Sequence, residues 1–181
     1  FNGNILNVNM VPGGGWMDNC RPGPFRKFKC MVVGKCASNL DVAHGKIVLG
    51  NNKSQLYSHL SNIKGLSAAD FYMTCSVKHT LLDPASNALK ANWIHNCAPL
   101  LKIEMALVKP DFMLLLGDEA IKAVLGRDKR LHTSTGKVFE VNIPLPDGSF
   151  HTAKAITCVN PAYVLRYPEH TDRFEASLNH F

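Results

Sequence analysis

The segment 110–126 is the part of the chain that most constrains its fold. Its apolar run 112–116 closes at Gly117, and a second apolar pattern continues from there to a glycine at position 126. A run of this length closed by glycine predicts a buried β-strand, and the residues after it predict a short helix over 119–125. A strand that passes through a tight turn into a helix is the building unit of an α/β domain.

The same alternation continues along the rest of the chain. Further apolar runs of strand length lie at 30–34, 70–77, 138–143 and 151–158. Helical apolar spacing is found at 53–63, 86–108 and 169–181. Short strands that alternate with helices predict a three-layer α/β sandwich around a central, mostly parallel, four-stranded sheet. The runs 138–143 and 151–158 are predicted as a hairpin or as two successive strands.

Ligands of such sheets bind at the carboxyl ends of the strands. This edge is predicted to collect the residues that follow each run, at 34–41, 75–79, 117–119 and 160–166. We therefore expect the functional residues of the chain in these four segments.

Composition indicates one globular domain. The 181 residues, 46% of them hydrophobic and 19% charged, are enough for a full core. We expect this domain over 30–181, after an irregular basic lead-in over 1–29. No apolar run reaches the roughly 18–20 residues of a membrane span, so we expect no membrane partner. The net charge of +6 favours a polyanion partner. Because the chain begins with Phe1 rather than methionine, we expect part of a longer or processed polypeptide.

The six cysteines indicate an intracellular protein with reduced thiols. None of them forms a Cys-x-x-Cys pair, and a chain of this size does not need a disulfide framework. Most lie in or beside apolar runs, where cysteine acts as a small hydrophobic side chain. We expect a location in the cytoplasm or nucleoid, or in the host cytoplasm if the source is viral.

Short motifs follow one another in a fixed order between residues 31 and 166. They lie at 33–38 (VGKCAS), 45–50 (GKIVLG), 74–79 (TCSVKH), 97–101 (CAPLL), 109–110 (KP), 116–120 (LGDEA), 125–126 (LG) and 160–166 (NPAYVLR). In order and spacing they resemble the uracil-DNA glycosylase superfamily, closest to its family 4. The resemblance implies an α/β fold that binds single- or double-stranded DNA and acts on a base flipped out of the helix.

Four positions of the predicted base pocket depart from the family pattern. The family's catalytic glutamate corresponds to Lys35, which precedes Cys36, and the aromatic that stacks on the flipped uracil corresponds to Val48. The asparagine that pairs with the uracil edge corresponds to Cys75, and the histidine that stabilises the departing uracil corresponds to Asn160. Cleavage passes through a positively charged, oxocarbenium-like sugar, which a lysine disfavours. The resemblance with these departures predicts no ordinary uracil excision.

The family 4 iron–sulfur cluster needs four ligands, two of them a close N-terminal pair of cysteines. Only Cys20 is present in that region, and the third and fourth ligand positions correspond to His79 and Cys97. We therefore expect neither a cluster nor another metal or cofactor.

The last motif corresponds to the loop with which the family contacts DNA. Tyr163, Leu165 and Arg166 are predicted on this exposed loop, which probes the minor groove and fills the gap left by a flipped base. Lys129 and Arg130 belong to a basic cluster that is a candidate for phosphate contacts. For both groups, a surface that contacts no DNA is the alternative.

Three functions stay open at this point. The first is a DNA-binding, glycosylase-like domain that lacks ordinary uracil excision and belongs to a larger replication or repair protein. The second is an active glycosylase for a bulkier modified base, in which Asp41, near His44, or Asn160 carries catalysis. The third is a protein-interaction module. Asp118 and Glu119 are assigned only to the N-terminal charge of the helix that they open.

Overall fold

The computed structural model describes residues 30–36, 56, 71–78 and 87–180. Within these residues, five strands form one sheet: β1 (Cys30–Cys36), β2 (Phe71–Val77), β3 (Phe112–Leu116), β4 (Val138–Pro144) and β5 (Phe150–Cys158). The strand order is β2-β1-β3-β5-β4, in which β4 is antiparallel to β5 and the other neighbours are parallel. The predicted α/β class and mostly parallel sheet are confirmed.

The predicted count of four strands is wrong, because the run 138–143 adds a fifth strand at the edge of the sheet. This strand, β4, forms a hairpin with β5, in which Val138 pairs with Ile156. The turn between them is fixed by Asp147, whose Oδ1 accepts hydrogen bonds from the backbone and the hydroxyl of Ser149. These hydrogen bonds lower the pKa of Asp147. A short hairpin connection needs no crossover helix, so the added strand is antiparallel.

Helices lie on both faces of the sheet. They are α1 (Asn87–Val108), α2 (Asp118–Leu125), α3 (Leu131–Ser134), α4 (Pro161–Arg166) and α5 (Thr171–Leu178). A 3-10 turn at Pro168–His170 joins α4 to α5. Leu56 is helical and buried, and it is the one position of the predicted helix 53–63 that the structure describes.

Alternate residues of β1, β2, β3 and β5 feed two separate cores, because successive strand side chains point to opposite faces. Met31 and Val33 of β1 face α1 and α2, where they pack in one cluster with Leu101 and Ile121. Residues of the other parity form a second cluster with side chains of α4 and α5, among them Phe174. Two cores on the two sides of one sheet produce the three layers of the sandwich.

The long helix α1 connects β2 to β3 and packs against β2. It spans 22 residues and includes Pro99, and it ends at Val108. Lys109 then takes a φ of 48°, and Pro110 follows. The predicted N-cap of this helix, Ser86, lies outside the described residues. Neither α1 nor any other helix in the described part of the chain is long and apolar enough to cross a membrane.

The loop predicted at 160–166 is instead a short helix, α4. Asn160 caps it, since its Oδ1 accepts a hydrogen bond of 2.9 Å from the backbone N–H of Ala162. Pro161 occupies the first turn. Asparagine is a favoured N-cap and proline a favoured first helical residue, so the helix start was encoded locally. The predicted terminal helix over 169–181 is shorter than expected and begins only after the 3-10 turn.

Candidate nucleic-acid interface

The carboxyl ends of β3 and β5 meet at Gly117. Its φ is +88° and its N–H donates to the carbonyl of Cys158 at 2.9 Å. A Cβ at this position would lie 3.8 Å from the Cβ of Asn160. Only glycine adopts this backbone conformation without strain. The glycine turn therefore starts α2 directly beside Asn160.

An ion pair lies at the same edge, between β1 and α2. Lys35 Nζ is 2.9 Å from Glu119 Oε1, and both side chains are partly exposed, at 37% and 21% respectively. The backbone carbonyl of Lys35 accepts a 2.8 Å hydrogen bond from the hydroxyl of Ser76 on β2. Lys35, which is predicted to stand in place of the family's glutamate, thus pairs with a carboxylate from another element.

The sequence interpretation missed the role of Glu119. It assigned this residue only to the charge of a helix N-terminus, whereas the structure pairs it with Lys35. The pairing depends on which helix begins beside which strand end, and periodicity does not encode that. The available signal was a pair of opposite charges, each directly at the predicted carboxyl end of a strand.

Asp118, the neighbour of Glu119, has a structural role: it holds Lys122 and the backbone of Leu131. Its carboxylate accepts hydrogen bonds from the Lys122 ammonium and, at 3.1 Å, from the backbone N–H of Leu131. Partial burial favours the neutral acid, but these hydrogen bonds and the charges of Lys122 and Arg130 outweigh it and lower the pKa of Asp118. Asp118 therefore fixes the position of the segment that follows α2, up to Leu131.

That returning chain carries the predicted basic cluster. The hydrogen bond between Leu131 and Asp118 brings the exposed Arg130 back to the carboxyl edge. Lys129 is half-buried, and its Nζ lies 5.9 Å from the centre of the Phe139 ring. Arg130 is thus placed beside the candidate site, whereas Lys129 packs towards β4.

The predicted base-pocket residues are only partly brought together. Cys75 is buried, and its Sγ would lie 3.8 Å from a Cβ at Gly34 on the neighbouring strand. Cys36 is half-buried at the end of β1. Asp41 and Val48 lie outside the described residues, so their predicted roles stay predictions.

Asn160 is half-buried, and its position is defined by two neighbours. Its side-chain oxygen is used to cap α4, and its Cβ lies against Gly117. Capping engages the oxygen and leaves the amide NH2 group as the donor for a ligand at the carboxyl edge. The structure thus gives Asn160 a role as the N-cap of α4. Its predicted hydrogen bond to a departing base stays a prediction.

The sequence of the chain matches the model of a known protein family. The family model of the uracil DNA glycosylase superfamily matches residues 23–181. The chain belongs to this superfamily. It is therefore a DNA glycosylase-like, hydrolase-like domain, and DNA is its expected partner in general terms. No curated protein matches the chain in a sequence search. The placement in family 4 and the divergence of its motifs stay predictions.

Helix α4 carries the residues that are predicted to contact DNA. Tyr163 is 43% exposed and Leu165 is 51% exposed, and Arg166 is exposed as well. Val164 between them is buried in the core cluster beneath α4 and α5. Residues two apart on a helix point about 200° apart. Tyr163 and Leu165 therefore lie on opposite flanks of α4.

Cys97 is the one residue of the predicted iron–sulfur site that lies in the described part of the chain. Cys97, which corresponds to the fourth ligand, is buried beside Val77 and Ile94. Its Sγ accepts a hydrogen bond of 3.3 Å from the backbone N–H of Lys78. The described residues contain no group of three or more His, Cys, Asp or Glu side chains placed to share a metal. Cys97 is thus a buried thiol, the positions of Cys20 and His79 lie outside the described residues, and the expected absence of a cluster stays a prediction.

Proposed function

We propose that this domain binds DNA and does not carry out ordinary uracil excision. The observation that carries the proposal is the ion pair of Lys35 with Glu119 at the carboxyl end of β1. Glycosidic cleavage builds positive charge on the sugar, and a nearby ammonium raises the energy of that transition state. The carboxylate at this edge is already neutralised by Lys35. The ion pair is partly exposed, so DNA can reach this edge of the sheet. The carboxylate of Glu119, however, is not free to stabilise a positively charged sugar.

DNA binding is supported by the surface around the ion pair. Arg166 is exposed on α4, and Arg130 is exposed near the start of α2. The net charge of the chain is +6. Lysine and arginine side chains bind phosphates and release counterions, which supplies most of the sequence-independent affinity for DNA. We further propose that the domain works within a larger replication or repair protein and meets single- or double-stranded DNA there.

The first experiment measures cleavage and binding on the same oligonucleotides. Duplex and single strands that carry uracil are incubated with the protein, and abasic sites are quantified after alkaline cleavage. We expect no abasic sites above the protein-free control, together with binding that weakens as salt rises. Abasic products that disappear in Asp41→Ala or Asn160→Ala would sink the proposal.

Arg166→Ala tests the DNA-facing surface. It is expected to weaken binding to all sequences and to reduce the slope of log affinity against log salt by about 1, because one phosphate contact is lost. The control is Lys154→Ala, which removes an exposed positive charge from the middle of β5, where Lys154 pairs with Phe112 at the start of β3 and so lies away from the carboxyl ends of these strands. Equal effects of both substitutions would indicate a general charge effect instead of a DNA-facing helix. If the protein does not bind DNA at low salt, the remaining alternative is a protein-interaction module.

One observation favours the alternative of an active glycosylase with altered specificity. Glu119 places a carboxylate 2.9 Å from Lys35 Nζ, at the edge where the resemblance predicts the base pocket. Cys75 is smaller than asparagine, which would admit a bulkier base. In this alternative, oligonucleotides with hydroxymethylated or glucosylated bases give abasic sites.

Glu119→Gln separates the two functions. If a modified base is excised, the single-turnover rate is expected to fall by about 100-fold or more in this variant, since a charge-stabilising group is lost. DNA affinity is expected to rise slightly, because the substitution removes a negative charge and frees the Lys35 ammonium from its ion pair. Asp118→Asn is the neighbouring control, since Asp118 is engaged with Lys122 and Leu131. A rate that is unchanged in Glu119→Gln would remove Glu119 from the reaction.

A further inference from the structure

Three aromatic rings form a row along α4 and the turn that follows it. The ring centres of Tyr163 and Tyr167 are 4.7 Å apart, with 42° between the ring planes. Those of Tyr163 and His170 are 5.1 Å apart, with 36° between the planes. The Tyr163 hydroxyl lies 3.3 Å from His170 Nε2. Tyr163 therefore contacts both of the other rings.

The row lies on the surface and its backbone is fixed. Tyr163 is 43% exposed and Tyr167 is 46% exposed. The N–H of Tyr167 donates to the carbonyl of Tyr163 at 3.0 Å, and the N–H of His170 donates to that of Tyr167 at 3.1 Å. Pro168 and a hydrogen bond from the Thr171 hydroxyl to its carbonyl at 2.7 Å hold the turn. Rings that are already ordered lose little entropy when they bind a flat partner.

We propose that this row is a stacking platform for unpaired DNA bases, with the outer face of Tyr167 as the principal contact. The proposal rests on the proposed DNA binding and names the form of DNA that the surface prefers. Every base has a π-face, so exposed aromatic rings bind single strands without sequence preference. A paired base inside a duplex cannot reach such a ring without unstacking. The platform therefore favours single-stranded or gapped DNA over an intact duplex.

The charged side chains around the row predict where the phosphates of a bound DNA strand lie. Arg166 is exposed on the same helix, next to Tyr167 in sequence. Glu169, on the 3-10 turn, is exposed as well and repels phosphates. We therefore expect the phosphates on the Arg166 side of the row and the bases on the rings. This arrangement distinguishes a nucleic acid from a purely apolar ligand, which would need no arginine beside the rings.

The test compares a single-stranded 12-mer of thymidine with a 12-mer of abasic residues, which has the same phosphates but no bases. Fluorescence anisotropy gives the affinity of each. The full chain is expected to bind the thymidine strand at least about 5-fold more tightly than the abasic strand. Tyr167→Leu is expected to remove most of that difference and to leave the salt dependence unchanged. Tyr167→Phe keeps the ring and is expected to keep the difference.

Phe150→Leu is the matched control, because Phe150 is a 67% exposed ring at the other end of the sheet. It is expected to bind both strands as the unchanged chain does. Equal affinity of the unchanged chain for the two strands would overturn the platform while leaving salt-dependent DNA binding intact. No binding to either strand at low salt would overturn both the platform and the proposed function. Thermal unfolding of each variant confirms that the fold is retained.

Discussion

Replacing Lys78 by methionine is expected to lower the free energy of unfolding by about 3–5 kcal/mol, because it leaves a buried carboxylate without its counter-charge. Lys78 is 4% exposed, and its Nζ lies 2.6 Å from Glu104 Oε2 and 2.6 Å from the Thr74 hydroxyl oxygen. The Thr74 hydroxyl also donates to Glu104 Oε2 at 2.7 Å. Urea unfolding followed by far-ultraviolet circular dichroism measures the change.

The double substitution Lys78→Met with Glu104→Leu is the decisive control. Removing both charges is expected to cost clearly less than the sum of the two single substitutions, since no buried charge is left alone. Lys122→Met is the matched exposed control, because the Lys122 side chain is 24% exposed and its partner Asp118 is 35% exposed. That substitution is expected to cost about 1 kcal/mol or less. Additive costs for the buried pair would show that Lys78 and Glu104 do not depend on each other.

The buried pair has a consequence for the candidate site. It ties β2 to α1 just below the carboxyl edge, and the backbone N–H of Lys78 donates to Cys97 on α1 as well. Burial, and to a smaller extent the charge of Glu104, raise the pKa of Tyr72 in the same region. Thr74 and Lys78 are predicted to match the family motif, whereas Cys75 between them is predicted to depart from it. In the structure, Thr74 and Lys78 both belong to the buried hydrogen-bonded group around Glu104.

The strands of this fold could be predicted because each is a short apolar run. β1, β2 and β3 are buried along most of their length, and their sequences are short and mainly apolar. β5 alternates buried and exposed residues in its first half and is buried in its second half. β4 alternates buried and exposed residues, as expected for an edge strand with one solvated face. Its apolar pattern was visible, but its place in the sheet depended on the hairpin with β5.

The candidate site was harder to predict, because its contacts join distant parts of the chain. The resemblance located Lys35 at a catalytic position, but only the packing of α2 against β1 shows that Glu119 faces it. The Asn-Pro start signal of α4 was present in the sequence and was overlooked, since a six-residue helix leaves no periodic pattern. The aromatic row spans α4 and the following turn, so its spacing became meaningful only once both were known to be helical.

Phe174→Ala is expected to destabilise the domain by about 3–5 kcal/mol, because it removes a large side chain from a filled core. Phe174 is fully buried beneath the sheet, in one cluster with Ile156, Cys158 and Val164. Its helix, α5, has only eight residues, too few to be stable without docking. Val164 belongs to α4, so the cavity also removes support from the helix that carries Arg166 and the aromatic row. Urea unfolding gives the change in stability.

The matched control is Phe150→Ala, which makes the same chemical change at a 67% exposed position. It is expected to change the free energy of unfolding by about 0.5 kcal/mol or less. DNA binding by Phe174→Ala, measured at a temperature where the variant remains folded, is expected to weaken although Phe174 itself is buried. If stability falls as expected but DNA affinity does not change, α4 keeps its position without this core contact. The DNA-facing surface would then be held by the Asn160 cap and the turn at Pro168–His170 alone.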